Sequence, residues 1–243
     1  MPASIVEKTD CMKFMPRFPD GYFHLAICDI PYGIGVGKMA YLKEMNTSVK
    51  QKNGTRLNGN KNKKPYTLKE WDKHPPSQQY FDELKRVSKH QIIFGVEYVN
   101  WSGLGKGRIK WDKCVADGVG FKRYEVAYCS MIDCEEEIKL LWAGMFQAKS
   151  LSEPTVQQAN KKLNERRIHP THKPLMLYKK LLMMFATPAM QILDTHLGGG
   201  SNRIACYEYG CDFYGCEIDD EYFNKQEKRF SNYLSQLKIE FNL

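Results

Sequence analysis

No run of ~18 consecutive apolar residues occurs in the chain, so it carries no helical membrane span. From Met1 to Asp20 the sequence mixes Glu7, Lys8, Asp10, Lys13 and Arg17 with apolar residues, which is not the pattern of a signal peptide. The eight cysteines, at 11, 28, 114, 129, 134, 206, 211 and 216, form no Cys-x-x-Cys pair, and no two histidines stand near two of them at finger spacing. A structural zinc site is therefore not expected, and no other metal is. The thiols read as small buried apolar groups in a reducing, cytoplasmic setting. Internal repeats are absent. So are two phosphate-binding signatures. Gly198-Gly199-Gly200 has Arg203 where the dinucleotide fingerprint G-x-G-x-x-G needs its last glycine. Gly37-Lys38 has Tyr32 rather than glycine five residues before it and Met39 behind it, so it is no phosphate loop.

What is present suits a globular chain. With 243 residues, 42% hydrophobic, the sequence can bury a sizeable core as one large domain or two small ones. Acids are scarce between Lys38 and Lys73, where ten Lys/Arg face three Asp/Glu. A basic patch of that kind suits a polyanion. Its candidate contacts are Lys50, Lys52, Arg56, Lys61, Lys63 and Lys64. Residues 36–75 show little apolar periodicity and read as a basic mobile loop.

Short strands and helices alternate on either side of that loop. Ser4–Lys8 reads as a strand, and Cys11–Phe18 as a helical turn or two. His24-Leu25-Ala26-Ile27-Cys28 is an apolar run of buried-strand length. Ser77–Lys89 predicts a helix, with Ser77 as N-cap and Tyr80, Phe81, Leu84 and Val87 on one face. Gln91–Phe94 is the next strand, so the unit is a crossover between parallel strands. Arg108–Trp111 and Glu125–Cys129 are strand-like, and 147–168 reads as a polar connecting segment. Pro174 opens a helix through Phe185. Gln191–Asp194, Ser201–Tyr209, Asp212–Glu217 and Asp220–Ser231 then predict strand, helix, strand and helix. The alternation specifies an α/β fold with a mostly parallel sheet.

Two stretches carry chemistry. The strand before Asp29 ends in Asp29-Ile30-Pro31-Tyr32, followed by Gly33, Gly35 and Gly37. Pro31 removes a backbone donor, so the chain leaves the sheet there and strands an acid and an aromatic ring at its carboxyl end. The second stretch is Ile192-Leu193-Asp194, the glycines Gly198–Gly200, a helix, and a strand closing on Glu217. Glycines let the backbone approach a ligand at a helix start, and an acid about twenty residues on suits a ribose diol. With both phosphate signatures missing, an adenosine ligand without phosphates remains, and S-adenosylmethionine is the obvious one.

Together these stretches resemble the S-adenosylmethionine-dependent DNA amino-methyltransferases, which methylate N6 of adenine or N4 of cytosine. Asp29-Ile30-Pro31-Tyr32 is similar to their Asp/Asn/Ser-Pro-Pro-aromatic catalytic motif, with Ile30 in place of the first proline. Leu193–Ser201 is similar to their cofactor motif, with Leu197 for the usual aromatic and Gly199 for the usual serine. His169-Pro170-Thr171-His172-Lys173-Pro174 resembles their His-Pro-Thr-x-Lys-Pro segment, and Arg86–Gly95 a further strand. The catalytic motif precedes the cofactor motif, which is the permuted order of the family's β group.

The resemblance implies a single Rossmann-like methyltransferase domain over 1–243 with permuted motif order. It implies catalysis by Asp29, Ile30, Pro31 and Tyr32. Asp29 and the Ile30 carbonyl would accept the two N–H groups of an exocyclic amine, and Tyr32 would stack on a base flipped out of double-stranded DNA. It places the cofactor among Asp10, Cys11, Asp29, Thr171, Lys173, Asp194, Thr195, Gly198, Gly200, Ser201 and Glu217. Asp10 would reach the adenine amino group, Glu217 the ribose and Lys173 the methionine carboxylate. Asp at the first motif position favours adenine over cytosine N4. Residues 113–168 are the candidate target-recognition segment, and its shortness makes a homodimer the expected assembly. A prokaryotic or phage origin and a restriction-modification setting follow from the same resemblance. A catalytically idle nucleic-acid-binding module, or an RNA or protein-amide methyltransferase, would use the same motifs. Carbon-5 methylation of cytosine is set aside, because no Pro-Cys dipeptide occurs.

Overall fold

The computed structural model describes residues 1–35, 72–115, 122–157, 160 and 163–241, with the backbone alone at 49–50, 56–57 and 237–241. The chain divides into two compact units. One comprises Met1–Ile30 and Pro76–Leu243, the other Pro31–Pro75.

The larger unit is built on one eight-stranded sheet. Its strands in chain order are β1 (Ser4–Lys8), β2 (Phe23–Asp29), β3 (Ser88–Phe94), β4 (Arg108–Asp112), β5 (Tyr124–Cys129), β6 (Glu135–Lys139), β7 (Gln191–Asp194) and β8 (Asp212–Glu217). Across the sheet they run β1-β8-β7-β2-β3-β5-β4-β6. Every neighbouring pair is parallel except those made by β5, which runs against both β3 and β4. The helices are α1 (Cys11–Phe14), α2 (Gln78–Val87), α3 (Leu175–Phe185), α4 (Ser201–Tyr209) and α5 (Asp220–Phe241). A 3₁₀ turn, Met15–Arg17, continues α1. No helix among the described residues is long and apolar enough to cross a membrane.

Alternation along β2 explains its unbroken apolar run. Leu25 and Ile27 face one layer, with Leu177, Leu181 and Leu182 of α3 and Ala205 of α4. Ala26 and Cys28 face the other, with Phe14 of α1 and Tyr80, Phe81, Leu84 and Val87 of α2. Both faces are covered, as a parallel sheet demands. The apolar face of α2 decides that helix. Ser77 occupies the N-cap position but makes no side-chain cap bond. A cap contributes about 1 kcal/mol. Burying each of the four apolar side chains contributes about 1.5–3 kcal/mol.

The sequence runs α2 on to Lys89, but the helix stops at Val87 and Ser88 already belongs to β3. Ser88 pairs with Phe23, so sheet registration overrides local helix propensity there. Edge strand β6 was not expected. Its Glu135, Glu136 and Glu137 are exposed, which discourages further pairing at that edge. Strands β5 and β6 take 124–129 and 135–139 of the 113–168 stretch into the sheet, and a short hairpin, Trp142–Ala143 with Phe146–Gln147, lies further along it. Trp101, Trp111 and Trp142 are core residues, and the exposed Cys134 departs from the expected burial of thiols.

In the smaller unit, Gly33 N and Gly35 N donate to the carboxylate and carbonyl of Asp72, at 2.8 and 3.2 Å. The loop was expected to lack regular structure, yet it holds a two-stranded antiparallel ladder, Val49–Lys50 with Arg56–Leu57. Gly37, Lys52, Lys61, Lys63 and Lys64 lie outside the described residues, as do the side chains of Lys50 and Arg56.

Candidate active site at the switch point of the sheet

From β7 the chain crosses over α4 to β8, and from β2 it crosses over α2 to β3 on the opposite side. The sheet therefore reverses between β7 and β2, which pair through Ile192–Leu25 and Leu193–Ala26. Open α/β sheets bind ligands outside the carboxyl ends of the strands at such a point. Asp194 and Asp29 stand there, one on each strand.

Asp194 is a tightly held carboxylate. Oδ1 accepts from His196 N at 3.0 Å, and Oδ2 from Asn202 Nδ2 at 3.1 Å. Asn202 also donates to Ile27 O at 3.0 Å, so one buried amide ties the two strands across the switch. Burial pushes the Asp194 carboxyl up to about 7, and its two hydrogen bonds act the other way. Thr195 Oγ1 lies 2.6 Å from the Tyr80 hydroxyl and 3.0 Å from His196 Nδ1, which docks α2 onto the strand end.

The glycine turn follows. Glu217, closing β8, accepts from Gly198 N and Asp219 N, each at 2.9 Å. Burial raises its carboxyl above the usual range. Gly200 has φ +70°, left-handed, immediately before α4. Gly199 is required for a different reason. A Cβ there would sit 2.1 Å from His172 Nδ1. The imidazole occupies the space that the family's usual serine would need. His169 stands on the other side, 3.6 Å from a Cβ at Gly198 and stacked edge-on to Tyr222 at 4.2 Å. Both histidines of the 169–174 segment therefore back the glycine turn. Thr171 Oγ1 bonds His169 Nδ1 at 3.0 Å.

Beneath the turn lies a buried polar cluster that nothing in the sequence singles out. Glu165 Oε1 accepts from Arg229 NH2 (2.6 Å) and Ser201 Oγ (2.9 Å) and lies 2.8 Å from His172 Nε2, while Oε2 accepts from Leu175 N at 2.9 Å. Arg229 also donates to Ser201 Oγ at 3.0 Å and to Gly199 O. This is no Ser-His-Glu triad. The carboxylate and the hydroxyl share the same ring nitrogen, and Nδ1 has no hydrogen-bond partner among the described residues. The cluster staples α5, the 165–175 segment and the glycine turn together.

Burial would raise Glu165, but the His172 hydrogen bond and the His172 and Arg229 charges hold it at about 2. Burial lowers His172, so its ring is neutral at pH 7 and Arg229 is the lasting cation. A carboxyl with depressed folded pKa contributes stability above its unfolded value that is lost as pH falls through the folded one. Glu165→Gln is therefore expected to be less stable than the parent at pH 7. That difference should shrink between about pH 4.5 and 2, as read by denaturant melts across pH. A difference independent of pH would refute the ionised pairing.

Asp29 occupies the other half of the site. Its Oδ1 is ion-paired with the Lys173 ammonium, which also lies 3.1 Å from Glu125 Oε2 and 4.7 Å above the Phe94 ring. The Lys173 side chain is only 3% exposed and turned to these two acids. Ile30 is 2% exposed in the α2-side core, so an isoleucine there fills apolar space where the family has proline. Pro31 and Tyr32 open the smaller unit. Asp10 accepts from Met12 N at 2.8 Å and caps α1, whose first residue is Cys11. Burial is the main reason the Cys11 thiol rises to about 12. Among the described residues no group of three or more His, Cys, Asp or Glu is placed to hold a metal.

An open sheet with one antiparallel strand, a glycine turn at its switch point and acids on the flanking strand ends is a Rossmann-like methyltransferase fold. The chain belongs to the DNA methylase family of N6 and N4 methyltransferases, whose pattern it matches over residues 41–228. That span includes Lys173, Asp194, the glycine turn and Glu217, and begins after Asp29–Tyr32. A curated relative is YubD of Escherichia coli (strain K12), whose name marks it a presumed methylase. It is 23% identical over 225 residues, 91% of this chain and 88% of that one. Among solved structures, the M1.HpyAVI–SAM complex superposes with TM-score 0.52 at 17% identity, over 93% of this chain and 98% of that one. The cytosine-N4-specific PvuII DNA methyltransferase superposes with TM-score 0.54 at 12% identity, over 95% and 87%. At these identities the superpositions show the shared fold.

Proposed function

We propose that this DNA methylase transfers a methyl group from S-adenosylmethionine to N6 of an adenine flipped out of double-stranded DNA. The observation that carries the reading is the adjacency of Asp29 and Asp194 on strands β2 and β7 at the switch of the sheet, with Ile30-Pro31-Tyr32 following the first.

The residues at hand fit the nucleoside end of the cofactor. Neighbouring strands β1, β8 and β7 close on or just before Asp10, Glu217 and Asp194. Asp10 would accept from the adenine amino group. Glu217 spends one bond per oxygen on backbone amides and keeps lone pairs for the ribose hydroxyls. When bound, the cofactor supplies an electrophilic methyl on a sulfonium. The amine nitrogen would bond to that methyl carbon as the carbon–sulfur bond breaks, sulfur would keep the electron pair as a neutral thioether, and the proton shed by the methylated amine would pass to Asp29 or to water. Asp29 and the Ile30 carbonyl would hold the two amine hydrogens and draw the nitrogen lone pair out of conjugation. Tyr32 would stack on the extruded base. The displacement itself needs no metal. Adenine is preferred to cytosine because the first motif residue is an aspartate.

Incubation with methyl-labelled cofactor and unmethylated DNA, followed by mass analysis of the nucleosides, tests the reading. N6-methyladenine is expected. N4-methylcytosine would overturn the base assignment, and unlabelled DNA would leave an idle binding module. DNA contact by the basic stretch has its own test. The triple variant Lys61→Gln, Lys63→Gln, Lys64→Gln should weaken binding across all sequences. It should also flatten the plot of log Kd against log salt by about one unit per lost phosphate contact. An unchanged slope would remove these lysines from the interface. The homodimer inferred from the short recognition segment is checked by sedimentation.

A further inference from the structure

The catalytic aspartate is the end of a row of alternating charges that crosses the carboxyl edge of the sheet on the face covered by α3. Alternation places it there. Asp29 is two residues beyond Ile27, which faces α3, and it pairs across β2–β3 with Phe94. Phe94 pairs with Ala127 of β5, and β5 runs the opposite way. Glu125, two residues before Ala127, therefore projects past the end of β3 on the same face. Glu125 pairs in turn with Trp111, and Lys113 follows Trp111 by two. The loop into α3 drops Lys173 between the two acids.

The result is Lys113–Glu125–Lys173–Asp29. Lys113 Nζ is 2.5 Å from Glu125 Oε1, and Lys173 Nζ is 3.1 Å from Glu125 Oε2 and in direct contact with Asp29 Oδ1. Side-chain exposure is 14% for Lys113, 18% for Glu125, 3% for Lys173 and 14% for Asp29. A lysine this buried is retained only if paired, because its desolvation is costly. One carboxylate would balance it. Two do so here, and the second, Glu125, is itself held by Lys113. The two aromatic faces beneath the row, Phe94 under Lys173 and Trp111 5.3 Å from Lys113, keep both ammoniums in place.

We propose that Glu125, steadied by Lys113, is a positioning residue for methyl transfer: it fixes the Lys173 ammonium, and Lys173 in turn fixes the rotamer of Asp29. This rests on the reading of Asp29 as the amine acceptor. A carboxylate clamped at Oδ1 by a rigid cation is held in one orientation, which is what alignment of a displacement requires. Lys173 meets Asp29 on β2 and Glu125 on β5, Glu125 also meets Lys113 after β4, and the buried Tyr178 phenol of α3 is within electrostatic reach of both acids. Burial would lower Lys173, but Asp29 and Glu125 outweigh it and raise the ammonium above its ordinary value. Glu125 itself, against the upward push of burial, is held down at about 2 by Lys173 and Lys113.

Glu125→Gln keeps the shape and removes one of the two charges. In that variant kcat should fall about ten- to a hundredfold, the scale of a small misplacement of a reacting group. KM for DNA and for cofactor should stay close to those of the parent. The alkaline limb of the kcat profile should move to lower pH, since Lys173 has lost one of its two counter-charges. Glu125→Asp, which keeps the charge with a shorter reach, should lose less rate and leave the limb in place. It carries the comparison if the glutamine variant does not fold. Lysine ¹³Cε resonances, followed through pH, separate the two levels of inference. Lys173 should titrate lower in Glu125→Gln than in the parent, whether or not the protein methylates DNA. A Lys173 titration and a rate that are both unaltered by Glu125→Gln would overturn the proposal. Loss of all methyl transfer in the parent would instead overturn the function it rests on.

Discussion

Asp29→Ala is expected to lower methyl transfer to DNA by ~10³-fold or more while S-adenosylmethionine binding stays near that of the parent. A positioned proton acceptor contributes about 10²–10⁴-fold, and Asp29 also orients the nucleophile. The cofactor's nucleoside half is assigned to Asp10, Glu217 and the glycine turn, which follow β1, close β8 and follow β7, whereas Asp29 closes β2. Structural damage should be limited. Removing one partner of an isolated buried ion pair costs about 3–5 kcal/mol, but Lys173 keeps Glu125, so the loss should be smaller. Asp29→Asn controls for this, since it preserves volume and still removes the charge. Equilibrium binding by calorimetry, set beside single-turnover transfer, gives both numbers. Transfer within tenfold of the parent in Asp29→Ala would end the assignment of this residue.

Gly199→Ala should destabilise the protein. The added methyl would meet His172 Nδ1 at 2.1 Å and Cε1 at 2.4 Å, and the ring cannot retreat. On its far side Nε2 is engaged by Glu165 and Ser201 and approached by Arg229, and Trp142 stacks near the ring at 6.3 Å. Overpacking of this kind costs about 1–3 kcal/mol. In a chain of this size that lowers Tm by roughly 2–4 °C per kcal/mol. Cofactor affinity should fall with it, because the turn that displaces the ring is the proposed cofactor turn. The double variant Gly199→Ala, His172→Ala tests the cause. If the clash is with the ring, the two changes should be less damaging together than the sum of each alone, with a coupling of about 0.5–3 kcal/mol. Additive losses would mean that the methyl acts elsewhere.

Most elements of the larger unit were legible because their apolar periods are unambiguous. The β2 run, the α2 face and the β7–α4–β8 unit each match what the sequence predicts. Local patterns failed where a long-range partner decided the outcome. Ser88 leaves the helix because Phe23 offers a strand register. Glu135–Lys139 becomes an edge strand because β4 presents an unpaired side, although its own residues are charged. Both cases reflect pairing free energy from residues distant in sequence, which no window of a single chain reports.

For the site, the sequence by itself determined the chemical inventory and its order along the chain. The acid before Pro31, the glycines before Ser201 and the acid at Glu217 are local features. Their spacing follows from strand and helix length, and together they point to a nucleoside cofactor and an amine acceptor. Only the tertiary structure decided the partners. Glu125, Lys113, Glu165 and Arg229 have no local signature, since a carboxylate on a strand or a guanidinium on a helix is usually a solvated side chain. The reversed direction of β5 brings Glu125 to Lys173. The packing of α5 brings Arg229 to Glu165, 64 residues away in the chain. Buried charges must find opposite charges within about 4 Å, and only the folded arrangement of strands and helices fixes which ones they meet. Lys173 shows the division most clearly. Its position ahead of α3 was evident in the sequence, but its ion pairs with Asp29 and Glu125 were not.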